Sequence, residues 1–157
     1  MTLELDPTQT IVRASGTGGL VLLALPLGWE DLASSFDATV SEGGIERAIE
    51  RVEDAIGHPR VDIDPILQVR GDETLRRMAQ AAGLESDADV ALTAEAVEAL
   101  FTRLASQAAG ALPAADRLPE DARFAATLVL VRELMHHLRV SALKIVGSRL
   151  LKNGRFA

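Results

Sequence analysis

The chain has 157 residues, 48% of them hydrophobic, with 23 acidic against 16 basic side chains and a net charge of −7. A single domain of this size buries roughly two-thirds of the surface its unfolded chain exposes, which excludes disorder, and the acidic balance argues against nucleic-acid and anionic-membrane partners, since both select basic patches. Cysteine is absent, so a disulfide framework, a thiolate nucleophile and a zinc cluster of cysteines are excluded.

The N-terminal MTLELDPTQ is acidic rather than a charged-then-apolar leader, which gives no secretory signal. Short strands are predicted over 2–5 and 10–14. The turn Ser15-Gly16-Thr17-Gly18-Gly19 follows, and then an apolar run of strand length over 20–27. Three strands on tight connections form an antiparallel meander, with Trp29, Leu32 and Phe36 on a short helical turn packed against it. Ile45, Ala48, Ile49, Val52 and Ile56 recur every three or four residues and predict a helix over 44–56, ended by Gly57 and Pro59.

Residues 61–69 alternate around Pro65 and read as a strand, with the proline at its edge or start. A helix over 74–82 follows directly. Thr93 is the predicted N-cap of a helix that carries Val97, Leu100, Phe101, Leu104 and Ala108 on one face. Pro119 suits the first position of a long helix to about Leu138, and 142–146 returns as a last strand. The longest apolar run, 124–131, falls far short of the about 20 residues that cross a bilayer. A soluble, cytoplasmic protein is the expectation, with no membrane partner.

The segment 67–83, LQVRGDETLRRMAQAAG, carries the main functional signal. A strand, a glycine and a helix start gather free backbone N–H groups and the positive end of a helix dipole, the usual geometry for holding a phosphate. Here Asp72 and Glu73 stand at that point. They supply the negative charge themselves and repel a second anion.

The order of elements, three strands, helix, strand, helices, strand, is that of a ribonuclease-H-like unit of the actin-like ATPase superfamily. The expected fold is therefore α/β, a single lobe over 1–157 with a mixed sheet of three antiparallel strands followed by strand–helix crossovers. The chain resembles the second lobe of the exopolyphosphatase/guanosine pentaphosphate phosphatase (Ppx/GppA) family. That family has a strand ending in DIGGGST, then a hairpin and SLPLG-x-x-x-L; this chain has LELD ending at Asp6, a hairpin at 16–19, and ALPLGWEDL over 24–32. The family's GGT-L-R-x-L-A is matched by Gly71-Asp72-Glu73-Thr74-Leu75-Arg76-Arg77-Met78-Ala79. Its LP-x-x-R-A is echoed by Leu118-Pro119-Glu120-Asp121-Ala122-Arg123, and its closing L-R-E-G by Leu151-Lys152-Asn153-Gly154.

The resemblance implies two phosphate loops, a magnesium ion and a preceding N-terminal lobe that closes the cleft and supplies a catalytic glutamate. Both loops depart from the pattern. Asp6-Pro7-Thr8-Gln9-Thr10 is short, and Pro7 has no N–H to give. In Gly71-Asp72-Glu73-Thr74 two glycines have become acids, while Thr74 keeps the family's threonine. Asp6, Thr8, Thr10, Gly71, Asp72, Glu73 and Thr74 are thus the phosphate-loop counterparts. Asp6 is the one implied magnesium ligand, although an aspartate before proline also suits a turn.

Other groups have plainer readings. Gly16–Gly19 precedes a strand and suits a hairpin turn better than a nucleotide loop. His136 and His137, adjacent on a helix, point about 100 degrees apart, and a site that adds His58 is a weaker alternative. Glu50/Asp54 and Asp62/Asp64 read as solvated charge, and neither Ser141 nor Ser148 has a general base nearby. Arg70, Arg76 and Arg77 are expected to neutralise Asp72 and Glu73. Three functions remain: a catalytically silent binding or regulatory module without cofactor, a lobe of an active magnesium-dependent hydrolase of phosphoanhydrides, and a self-associating structural domain that forms a homodimer.

Overall fold

Alternation along the strands decides which side of the sheet is covered. The computed structural model describes residues 1–84 and 89–147. Strands β1 (Thr2–Leu5), β2 (Thr10–Arg13) and β3 (Val21–Leu25) lead into helices α1 (Trp29–Ala33) and α2 (Glu42–Ile56). Strand β4 (Ile66–Arg70), helix α3 (Glu73–Ala81), strand β5 (Val90–Thr93) and helix α4 (Ala94–Ala108) follow. A 3₁₀ turn (Ala114–Asp116) then precedes helix α5 (Ala122–Leu138) and strand β6 (Ala142–Val146). The six strands form one sheet in the order β3-β2-β1-β4-β6-β5. β1, β4 and β6 are parallel neighbours; β2, β3 and β5 run antiparallel to the strands they join.

The pairing register places Val12 beside Leu3, Leu3 beside Val69, Leu67 beside Leu143 and Leu143 beside Leu92. All of these are buried and stand on one face. The opposite face carries exposed Thr2, Ile66, Gln68, Arg70, Ala91 and Lys144. The helices form a second layer around α5, which packs against α1, α2, α3 and α4 and buries Phe124, Leu128, Val131 and Leu134. A helix apolar on every side belongs inside such a layer. Removing one of its leucines, Leu128→Ala, costs roughly 2–5 kcal/mol by transfer and cavity effects together.

The expected meander, crossovers and mixed sheet are present, and several boundaries shift. Of the expected 61–69 strand only 66–69 pairs, and the strand runs on to Arg70; Pro65 lacks the N–H a ladder needs and stands just outside it. α2 starts at Glu42, with the Ser41 side chain accepting the Gly44 N–H at 3.1 Å, two residues ahead of the predicted start. α5 begins at Ala122 with Asp121 as its cap; Pro119 lies before the helix and not at its first position. Strand β5 was not expected at all. Thr93 does cap α4, through the Ala96 N–H. The expectations for Ser148 and 151–154 lie outside the described residues.

Candidate functional site

β1 and β4 are parallel, so both carboxyl ends open at the same edge of the sheet, where open α/β sheets hold their ligands. A depression of about 500 Å³ lies there, lined by Glu4, Asp6, Arg70, Gly71, Asp72 and Leu75. The residues singled out from the two loops, Asp6 and Gly71-Asp72, therefore do meet.

The first loop is closed on itself. The Asp6 N–H donates to the Gln9 carbonyl at 3.0 Å, and the Gln9 amide donates to Asp6 Oδ2 at 3.2 Å. The Pro7 carbonyl takes the Glu30 N–H at 2.9 Å. Gly28 is packed so tightly beneath that a Cβ there would lie 2.2 Å from the Asp6 carbonyl oxygen. The Thr10 hydroxyl is buried and donates to the Leu27 carbonyl at 2.8 Å, and Thr8 is exposed on the turn.

The second loop is occupied by its own side chain. Asp72 caps α3: its Oδ1 accepts the Leu75 N–H at 2.8 Å. The Gly71 N–H is also engaged, donating to the Val146 carbonyl at 2.8 Å. Thr74 is buried in the first turn of α3. Glu73 points to solvent and pairs with Arg76 at 3.4 Å.

The neighbouring helix α5 repeats the device. Asp121 caps it by accepting the Phe124 N–H at 2.6 Å. The two caps are cross-linked, since Arg123 of α5 reaches Asp72 at 3.3 Å and Arg77 of α3 pairs with Asp121. Arg123 also lies over the Trp29 ring, 4.0 Å from its centroid. The expected pairing thus holds for Arg76 with Glu73 and is corrected elsewhere: Arg77 serves Asp121, and Asp72 is met by Arg123, 51 residues away in sequence. Partial burial raises the Asp121 carboxyl, but the Arg77 guanidinium and the Phe124 N–H outweigh it and hold the group below its ordinary value.

A second cluster lies between α2 and α5. Glu53, Glu133 and His137 bring one ligand atom each within 4.8 Å of the others. Burial pushes the Glu133 carboxyl up from its ordinary value, Arg132 and His137 pull it down, and Glu53 adds to the rise. The hydrogen bonds that Arg132 donates to the Glu98 carboxylate raise Arg132 in turn. Sequence reading set His137 beside His136 and missed this set; the four-residue spacing of Glu133 and His137 on a helix was the available signal. His58 and His137 border one depression and His136 another, so the three histidines do not converge. Asp64, expected as solvated charge on a strand, lies before β4 and 3.6 Å from the N-terminal amino group.

No family model and no curated protein matches the sequence. Solved structures do. The type II variant of the Aquifex aeolicus Ppx/GppA phosphatase aligns at a TM-score of 0.68 and 16% identity, over 92% of this chain and 52% of that one. Another crystal structure of the Aquifex aeolicus member of the Ppx/GppA family aligns at 0.66 and 13%, over 99% and 55%. An exopolyphosphatase-like protein aligns at 0.60 and 11%, over 92% and 53%. The fold is that of one Ppx/GppA lobe. The chain spans about half the length of the solved structures it matches. No helix among its described residues is long and apolar enough to cross a membrane.

Proposed function

We propose that this Ppx/GppA-like lobe is catalytically silent by itself and serves as a binding or regulatory module. The observation that carries this reading is the 2.8 Å bond from the Leu75 N–H to Asp72 Oδ1. The carboxylate sits where a phosphate oxygen would complement the helix terminus, and Arg123 balances its charge from within the chain. The β1–β2 turn offers no open run of N–H groups, since Pro7 has none and the Asp6 N–H is engaged. Phosphoryl transfer depends on such donors, with a metal, to hold the developing charge.

The test is release of phosphate from inorganic polyphosphate with magnesium. The chain alone is expected to release none. Release that disappears in Asp6→Ala overturns the proposal. The 52% coverage of a solved relative favours a second reading, a lobe of an active hydrolase completed by another lobe; turnover that appears only on adding such a lobe supports it.

A further inference from the structure

We propose that Glu53, Glu133 and His137 form a binding site for a divalent transition-metal ion of the zinc type, which would clip α2 to α5. Glu133 and His137 stand four residues apart on α5, so they share one face of it, and α2 packs against that helix. The His137 Nε2 atom is enclosed and has no hydrogen-bond partner. Its neighbour, Glu133 Oε1, is 3.7 Å away, too far for a hydrogen bond. The ring as a whole is 29% exposed, but an enclosed imidazole nitrogen that faces a carboxylate without bonding it is left unsatisfied. It is relieved by an ion between the two: tetrahedral zinc with bonds of about 2.1 Å sets its ligands roughly 3.4 Å apart.

The surroundings suit such a site. The Glu133 side chain is only 4% exposed, and its other oxygen, Oε2, is held by Arg132 Nη1 at 3.0 Å. Arg132 is fixed in turn by Glu98 through contacts of 3.0 and 3.1 Å. This outer contact orients the carboxylate and leaves Oε1 for the ion, the arrangement by which supporting residues tune metal ligands. Glu53 is exposed and closes the set from the solvent side. A depression of about 400 Å³ bordered by His58, Asp62 and His137 gives a path of entry.

One nitrogen and two carboxylate oxygens make a mixed donor set, which favours zinc, cobalt or nickel over calcium and magnesium. Two carboxylates with a neutral imidazole balance a double positive charge. Without thiolates, the affinity is expected in the micromolar range.

The experiment is calorimetric titration of the full chain with zinc chloride, with visible absorption of the cobalt form as a second readout. One ion per chain, a tetrahedral cobalt spectrum and a melting temperature raised by zinc are expected. Glu53→Gln and His137→Gln should each weaken binding by about tenfold or more, with His58→Gln and His136→Gln unchanged. Because Glu53 is exposed, its variant keeps the fold and decides the matter even if His137→Gln does not fold. No saturable binding, or equal binding by the Glu53 variant and the parent, overturns the proposal.

Discussion

Asp72 and Asp121 do the same work on two helices and are tied together by arginines from opposite sides. Each carboxylate meets a backbone N–H of its own first turn, and an N-cap aspartate of this kind contributes about 0.5–2 kcal/mol. For Asp72 the negative charge at the helix start was legible in the sequence, whereas Asp121 was not read as a cap, because Pro119 was expected at the first position of that helix. The partners were not legible: Arg123 and Asp72 are 51 residues apart and meet only when α3 and α5 are side by side. The depressed Asp121 carboxyl makes stability depend on pH in a definite direction. A group held below its ordinary value, here 3.8, adds stability that is complete above that value and is lost as pH falls through the lower folded one. Asp121→Asn keeps the cap and removes the charge. Its melting temperature should therefore lie below the parent's at pH 7, by the equivalent of about 1 kcal/mol or less at a site open to water, and the gap should close below about pH 3.8. A gap that persists unchanged into acid shows that the Arg77 pair is not its source.

At the scale of the element, periodicity placed α2, α4, α5 and the strand meander, and it failed where contact rather than pattern decides. Strand β5 has four residues, and only Leu92 among them is buried, so it shows no alternation long enough to read. It exists because β6 offers it a ladder from Ala142 to Ile145. The start of α2 was hidden by Gly43, a poor helix former on propensity. Gly44 is there for space: a Cβ would lie 2.6 Å from Phe36 Cδ1. Gly28 has the same role where α1 meets the β1–β2 turn, with backbone atoms in place of a ring. Its φ of −129° suits any residue, so only the lack of room excludes a side chain. Gly28→Ala should destabilise the chain by roughly 1–3 kcal/mol, measured as a lower urea midpoint, and a neutral result contradicts the close packing of that turn.

On the scale of the whole molecule, one face of the sheet is covered by helices and the other carries exposed Ile66, Gln68, Arg70 and Lys144. The chain aligns to about half of each solved Ppx/GppA structure. The fold was legible because the order of elements, β5 apart, follows from local patterns, even at 13–16% identity to those structures. The candidate site was legible only in part. Its negative charge could be read at Asp72 and Glu73; its closure by the Asp6–Gln9 turn and the crossed arginines could not, since both depend on packing between distant segments.

The account rests on the chain's own carboxylate taking the place of a ligand anion at the start of α3. Calorimetric titration with inorganic pyrophosphate, comparing the parent with Asp72→Gly/Glu73→Gly, tests this most directly, and glycine costs only a few tenths of a kcal/mol as a cap. The account predicts no binding heat for the parent and saturable binding for the double variant. Binding by the parent, or none by either protein, would contradict it.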